Sequence, residues 1–100
     1  VIGLDGAGPR DRIALGEPRF AVEGKDAHGI ALTPAGDELL LTTQITGQLT
    51  FADPRSLAVR GEVHVGNDPN WVEVTSDGRF AVVSNTADNT IAIVDIAAGA

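Results

Sequence analysis

The 100-residue sequence contains no cysteine, which excludes disulfide bonds, thiolate metal ligands and cysteine nucleophiles within it. It also lacks methionine and begins at Val1, so we expect an excerpt of a longer protein or a processed product. No apolar run approaches the roughly 18 residues of a membrane span, and no signal-peptide pattern is present. We therefore expect any export signal to lie upstream of Val1. Without cysteines, the sequence does not indicate whether the compartment is oxidising or reducing.

Basic residues are also scarce, with 7 Lys and Arg against 14 Asp and Glu and a formal net charge of -7. A surface of this sign repels phosphate backbones, so nucleic acid is disfavoured as a main partner. The same acidity is typical of a solvated, soluble surface.

The chain does contain an internal repeat. Residues 68–95, DPNWVEVTSDGRFAVVSNTADNTIAIVD, match residues 26–53, DAHGIALTPAGDELLLTTQITGQLTFAD, after a shift of 42 positions. Across this shift Gly36 coincides with Gly78, and apolar runs coincide with apolar runs. A period of about 40 to 45 residues is typical of propeller blades, each a four-stranded sheet. The sequence therefore predicts an all-β fold of antiparallel four-stranded β-propeller blades.

The repeat also sets the expected organisation of the chain. Residues 1–24 are predicted to supply the last strands of one blade, residues 25–66 a complete blade, and residues 67–100 the first three strands of the next. This gives nine strands and no helix. Because a propeller closes with roughly 4 to 8 blades, the remaining blades must come from a parent chain or from self-association.

The predicted fourth strand, residues 59–65, alternates like a half-solvated outer strand. Its apolar residues are expected on one face and its charged residues on the other, where a solvated His64 is expected. The apolar residues are Val59, Val63 and Val65, and the charged face carries Arg60, Glu62 and His64.

The second copy resembles the YVTN-type β-propeller repeat. Residues 69–79 fit Pro-x-x-(apolar)-x-(apolar)-(Ser/Thr)-x-Asp-Gly-Arg, and residues 80–95 fit an apolar run ending in Asn followed by Asn-Thr-(Ile/Val)-x-(Ile/Val)-(Ile/Val)-Asp. In the first copy Ala35 replaces the turn Asp and Thr43 replaces the strand-end Asn. The resemblance implies a propeller fold and a periplasmic, secreted or cell-surface location. It implies functions that range from surface-layer scaffolds to lactonases and to haem- or quinone-linked oxidoreductases.

Most of the repeated polar residues have an expected structural role. Asp77 and Gly78 are predicted to shape the first hairpin turn, and Asn85 to bond backbone groups where its strand ends. Asp53 and Asp95 are predicted to cap the turn before the outer strand.

The best functional candidates lie where the chain crosses from an outer strand to the next inner strand. In a propeller these crossings surround one mouth of the central channel, where a ligand can bind. The candidate ligand-binding residues are Asp26, His28, Asp68, Asn70 and Trp71.

Two of these candidates have competing interpretations. His28 fits a haem or metal ligand or a general base, or a loop histidine bonded to a neighbouring carbonyl or carboxylate. Trp71 fits an anchor for a partner or a packing residue between blades. No zinc spacing, EF-hand loop or nucleophile elbow is present. The leading hypothesis is a non-catalytic scaffold without cofactor that binds protein, glycan or a small molecule, and the alternative is a propeller enzyme.

Overall fold

A computed structural model describes residues 12–15 and 26–100. Within these residues the chain forms seven β-strands and no helix, so none of this part of the chain is a helix that could span a membrane. The strands are β1 (Ala27–Leu32), β2 (Leu39–Thr43), β3 (Gln48–Ala52), β4 (Val59–His64), β5 (Pro69–Val74), β6 (Phe80–Asn85) and β7 (Thr90–Asp95). The two further strands predicted in residues 1–24 lie outside the described residues.

The strands form two antiparallel sheets in which chain neighbours are also sheet neighbours. One sheet has the order β1-β2-β3-β4 and the other the order β5-β6-β7. The inner strands β1 and β5 lie side by side, so the sheets are arranged as consecutive blades. The predicted all-β class, with one four-stranded and one three-stranded antiparallel sheet, is confirmed.

The first hairpin turn of each blade has the predicted geometry. Gly36 and Gly78 both adopt a φ of 73°, a conformation that glycine enters without steric cost. Each donates its backbone N–H to the carbonyl of the threonine three residues earlier, at 2.8 Å. The turn carboxylate sits at Asp77 in the second blade but at Asp37 in the first, and each accepts a 2.6 Å bond from the threonine hydroxyl.

The turn before the outer strand is also built as predicted. Asp53 Oδ1 accepts the backbone N–H groups of Arg55 and Ser56, at 2.7 and 3.0 Å. These bonds, the one from Ser56 foremost, lower the pKa of the Asp53 carboxyl. In the second blade Asp95 Oδ1 accepts the N–H of Ala98 at 3.1 Å. Both aspartates therefore cap their turns.

The hydrophobic core lies between the two sheets. Side chains alternate along a strand, so one face of each sheet supplies it. A buried side chain of this kind contributes roughly 1.5 to 3 kcal/mol. The core residues are Leu40, Leu49, Phe51, Val72, Ala81, Val83, Val94 and Ile96.

No described strand packs on the opposite face of the second sheet, where Arg79 lies over the Phe80 ring. Ile91 and Ile93 are exposed there, although residues 42 positions earlier, Leu49 and Phe51, are buried in the core. We call this surface the open face. By register and alternation its residues are Trp71, Glu73, Phe80, Val82, Ser84, Ile91 and Ile93.

Some side chains of the outer strand β4 point to the face opposite to the one predicted. A register irregularity between Phe51 and Ala52 places Gly61 opposite Phe51 and Val59 opposite Ala52, so Arg60 is an extra residue. The guanidinium of Arg60 lies 4.8 Å from the Phe51 ring centroid, on the core side. Val59 is exposed instead. Val59 was expected to share a face with Val63 and Val65, and Arg60 to share the other face with the exposed charged residues. Both predictions are wrong, because the bulge changes the alternation of side chains along β4.

Candidate functional site

The predicted site lies at the end of the sheets where the inner strands begin. We call it the entry end, formed by residues 26–28, 44–47, 65–71 and 86–89. Equivalent backbone bonds shape it in both blades, since Gln44 donates to the Asp26 carbonyl at 2.7 Å and Thr86 donates to the Asp68 carbonyl at 2.9 Å. In a propeller this end of the inner strands borders the central channel.

His28 connects the two blades at this end. Its Nδ1 lies 2.8 Å from the carbonyl oxygen of Asn70, on the neighbouring inner strand. A carbonyl only accepts, so Nδ1 carries the proton in this bond and Nε2 of the neutral ring keeps its lone pair. The His28 ring also meets the Trp71 indole edge-on, with centroids 5.4 Å apart and planes at 88°. The contact fits the interpretation of His28 as a histidine bonded to a neighbouring carbonyl, although His28 lies in β1 rather than in a loop.

The inner strands approach each other closely because position 29 is glycine. A Cβ built on Gly29 would lie 2.5 Å from Asn70 O and 2.9 Å from Thr42 Oγ1. Thr42 Oγ1 instead accepts the Gly29 N–H at 2.8 Å, and it lies 3.5 Å from Asn70 O. Both inner strands have a register irregularity here, as is common next to functional sites.

Trp71 occupies the position equivalent to Gly29, 42 residues later, but its surroundings are opposite. It lies at the inner end of the open face, with 66% of the residue exposed. Among the described residues the aromatic ring that it meets is His28. Within residues 12–15 and 26–100 no blade packs over the indole.

Asp26 is buried, at 4% exposure, and its carboxylate bonds to the turn between β2 and β3. Oδ1 accepts the backbone N–H of Ile45 at 2.9 Å and of Thr46 at 3.1 Å. The hydroxyl of Thr46 is also within bonding distance of both carboxylate oxygens. Asp26 therefore stabilises the turn between β2 and β3, which forms part of the entry end.

Asp68 has the same place in the second blade, but its side chain makes no such bonds to described residues. Its backbone has a φ of 58°, in the left-handed region. Asp88 replaces it as acceptor: its Oδ2 receives the Asn67 N–H at 2.8 Å, and its Oδ1 receives the Asn67 amide group at 2.7 Å. These bonds, the backbone one foremost, lower the pKa of Asp88. Asp68 is partly exposed, and its carboxylate is available at the entry end.

Asn70 contributes mainly through its backbone. Its carbonyl receives the His28 bond, and its side-chain amide donates to Thr86 Oγ1 at 3.0 Å. Its Oδ1 is buried without a hydrogen-bond partner in the described chain. The same holds for Oγ of Ser84, the residue opposite Trp71 on β6.

The sequence did not single out Thr42, Ser84, Asn67 or Asp88. Thr42 and Ser84 lie at equivalent positions in the middle of the repeats, so alignment with Gly29 and Trp71 was the available signal. The structure describes no group of three or more metal-ligating side chains within residues 12–15 and 26–100. The arrangement leaves the Trp71 indole exposed beside His28, and Nε2 of the neutral His28 ring can accept a hydrogen bond.

Comparison with known structures agrees with this architecture. A hydrazine synthase from Kuenenia stuttgartiensis is similar over 75% of this chain, with a TM-score of 0.72 and 33% identity. The β-propeller domain of Cps50 (Swd1) from Myceliophteria thermophila is similar over 80%, with a TM-score of 0.66 and 23% identity. The chain adopts a β-propeller fold. It spans only 21% and 26% of those two chains. No family model and no curated protein matches the sequence.

Proposed function

We propose that this chain is part of a non-catalytic β-propeller whose entry end is a rigid binding surface for a protein, glycan or small-molecule ligand. The observation that carries the proposal is the contact of His28 with both Asn70 and Trp71 across two blades. It holds an exposed indole in one orientation before any ligand arrives. Binding to a preorganised group loses less conformational entropy than binding to a mobile one.

The remaining candidates support this surface in different ways. Asp26 anchors the turn below it, while Asp68 presents a carboxylate near the crossing. Asn70 supplies the carbonyl that orients His28. In the proposal His28 and Trp71 contact the ligand, and Asp68 and Asn70 contribute polar contacts at its edge.

Trp71 is the chain's only tryptophan, so its fluorescence reports directly on the site. The test is a titration of the chain with short peptides and oligosaccharides, followed by fluorescence and by amide chemical shifts in NMR. We expect at least one class of ligand to change the Trp71 emission and to shift amides of residues 26–28 and 68–71. His28→Ala should weaken that binding, because the indole loses its edge contact.

Glu62→Ala is the control, since Glu62 is exposed on the outer strand β4 and lies outside the entry end. Equal weakening by both substitutions would contradict a site at His28 and Trp71. So would ligands that bind without shifting any amide at the entry end.

The second candidate function is a propeller enzyme, either a haem- or quinone-linked oxidoreductase or a lactonase. Two observations favour it: the 33% identity to a chain of hydrazine synthase, and the lone pair left on His28 Nε2. A histidine whose Nδ1–H is fixed by a backbone carbonyl is oriented for ligation or general-base work through Nε2. Stoichiometric haem, quinone or metal in the complete protein would favour the enzyme. Unchanged turnover in His28→Ala would dismiss it.

We further propose that the chain belongs with YVTN-type repeats and functions in the periplasm, outside the cell or at its surface. The support is the motif of residues 69–95, with its Asp-Gly turn and its terminal Asp95. The remaining blades come from the parent chain or from association of copies. The test is fractionation of cells that express the complete gene, where recovery only in the cytoplasm would contradict the proposal.

A further inference from the structure

Hydrogen bonds from three strands meet where the inner strands of the two blades lie closest. Thr42 Oγ1, on β2, accepts the Gly29 N–H of β1 at 2.8 Å and donates to Asn70 O of β5 at 3.5 Å. Asn70 O also receives Nδ1 of His28 at 2.8 Å. Because His28 and Gly29 are consecutive, these bonds close on themselves. We call them the junction network.

The junction network lies between the two blades that the structure describes, so both partners of every bond in it are described residues. It requires a glycine at position 29. A Cβ there would lie 2.5 Å from Asn70 O and 2.9 Å from Thr42 Oγ1, which is closer than real side chains come. Without that Cβ, the Asn70 carbonyl reaches both the Thr42 hydroxyl and the His28 ring.

Thr42 is the side chain that completes the junction network from inside the fold. It is 0% exposed, so it acts on the entry end only through its neighbours. A hydroxyl has one donor and two acceptor sites, so it can receive the Gly29 N–H and still donate to Asn70 O. Thr42 therefore fixes the backbone next to His28 and, at the same time, the carbonyl to which His28 bonds.

The junction network also decides which nitrogen of His28 is available. A carbonyl oxygen only accepts, so Nδ1 carries the proton and Nε2 of the neutral ring has a lone pair. Free histidine favours the other tautomer, with the proton on Nε2, so the Asn70 carbonyl selects the less common form. His28 itself is exposed. A group that bonds to Nε2 of the neutral ring must therefore be a donor.

We propose that Thr42 is a positioning residue that holds His28 as the Nδ1–H tautomer, with Nε2 as the acceptor for an N–H or O–H group of the ligand. The inference rests on the proposed binding function and names the group that the ligand presents to His28. Ligand groups that only accept hydrogen bonds, such as carboxylates and tertiary amides, are disfavoured at Nε2, because two acceptors would then face each other.

The first test is the tautomer of His28 in the ¹⁵N-labelled 100-residue chain. A long-range ¹H–¹⁵N NMR spectrum distinguishes the protonated ring nitrogen from the other one. It is recorded at about pH 8, at the upper end of the range in which histidines usually change charge. We expect Nδ1 to carry the proton. A dominant Nε2–H form, as in free histidine, would overturn the proposal.

The second test removes the Thr42 hydroxyl. Thr42→Val keeps the branched shape, and it should lower the ratio of the Nδ1–H to the Nε2–H form of His28 by about 2- to 10-fold, the worth of one hydrogen bond. Thr42→Ser keeps the hydroxyl and should keep the tautomer. Thr50→Val is the matched control, because Thr50 lies on the neighbouring strand β3 at 1% exposure and its Oγ1 has no partner in the described chain. It should leave the tautomer unchanged.

The third test is an NMR titration with probes that differ in their donors. N-acetylglycine N-methylamide has N–H donors, whereas N-acetylsarcosine N,N-dimethylamide has none. We expect the first to shift the His28 ring signals and amides of residues 26–28, and to bind at least about 3-fold more tightly than the second. Methyl glucoside and its permethylated form make the same comparison for O–H donors. Thr42→Val should reduce the preference for donors, and Thr50→Val should keep it.

Equal binding of the donor and donor-free probes would overturn the proposal. So would a Thr42→Val chain that is less stable in urea but keeps both the His28 tautomer and the preference, since Thr42 would then have only a structural role. If the four probes fail while the peptides or oligosaccharides of the earlier titration bind at the entry end without a bond to His28 Nε2, the donor contact is wrong and the binding function stands. If nothing shifts the entry end, both are wrong.

Discussion

The two blades have the same backbone arrangement but use different side chains to stabilise it. At the entry end the first blade uses the carboxylate of Asp26, which accepts N–H groups from the turn between β2 and β3. The second blade reverses the direction: Asp88 in the equivalent turn accepts from Asn67 ahead of the inner strand. In both blades these hydrogen bonds connect the segment before the inner strand to the turn between the second and third strands. The repeat therefore conserves a connection between two loops rather than a particular residue.

The blades also differ in what covers their outward faces. The first blade is covered by the second, so Leu49 and Phe51 are buried, whereas Ile91 and Ile93 are exposed at the equivalent positions. The same contrast separates Gly29 from Trp71. Within the described residues, equivalent positions of the repeat therefore differ in burial, and paired substitutions of this chain can test that difference.

The largest difference is expected at Phe51 and Ile93. Phe51 is 1% exposed and Ile93 is 67% exposed. Phe51→Ala should lower the free energy of unfolding by about 3 to 5 kcal/mol, because it leaves a cavity between the sheets. Ile93→Ala should change it by about 0.5 kcal/mol or less. Urea denaturation followed by circular dichroism measures both. Comparable losses would show that the open face is covered in solution.

The next difference is expected between Gly29 and Trp71. Gly29→Ala places a methyl group against Asn70 O and Thr42 Oγ1, and should destabilise the chain by about 1 to 3 kcal/mol. Trp71→Ala removes an exposed side chain and should cost about 0.5 kcal/mol or less. The same denaturation measurement applies. A tolerated Gly29→Ala would contradict the close approach of the two inner strands.

A third pair separates Asp26 from Asp68. Asp26→Ala leaves two backbone N–H groups of the turn without their acceptor and should cost about 1 to 3 kcal/mol. Asp68→Ala removes a carboxylate that bonds to no described residue, and a change within about 0.5 kcal/mol is expected. Amide hydrogen exchange of Ile45 and Thr46 should accelerate in the first variant alone. Unchanged exchange in Asp26→Ala would dismiss the assigned bonds.

The smallest effect is expected from pH. Hydrogen bonds lower the pKa of Asp53 and Asp77 below their ordinary value of 3.8, so the unfolded chain binds protons more readily than the folded chain below that value. Their contribution to stability is complete above the unfolded pKa and is lost as the pH falls through the folded pKa. The urea midpoint should therefore fall on acidification. Asp53→Asn should reduce that dependence, and an unchanged dependence would contradict the assigned bonds to Asp53.

Much of the fold was predictable because its signals are local. The glycine turns at Gly36 and Gly78 and the caps at Asp53 and Asp95 each depend on neighbouring residues, and the structure agrees with them. The 42-residue period can be read directly by comparing two parts of the sequence. The facing of β4 was not predictable. The bulge at Arg60 accompanies a contact between Arg60 and Phe51 on the neighbouring strand. The alternation of residues along one strand does not reveal contacts with another strand.

The structure brings the candidate residues to one end of the sheets, but their contacts could not be predicted from the sequence. The crossings directed attention to His28 and Trp71, and the structure brings their rings together. The sequence did not predict that Asp88, rather than Asp68, is the acceptor in the second blade. That prediction would require knowing that residues 67 and 88 lie close together in the folded blade. The openness of Trp71 was also missed, since burial depends on what packs against a face.

Acrylamide quenching of Trp71 fluorescence tests the central contrast most directly, because the chain has one tryptophan and its position is equivalent to the closed junction at Gly29. The measurement compares the quenching constant of the native chain with that of the urea-unfolded chain. An indole that is 66% exposed at the entry end should be quenched in the native chain nearly as readily as in the unfolded one. A strongly protected indole would contradict the open position and the binding surface proposed around it.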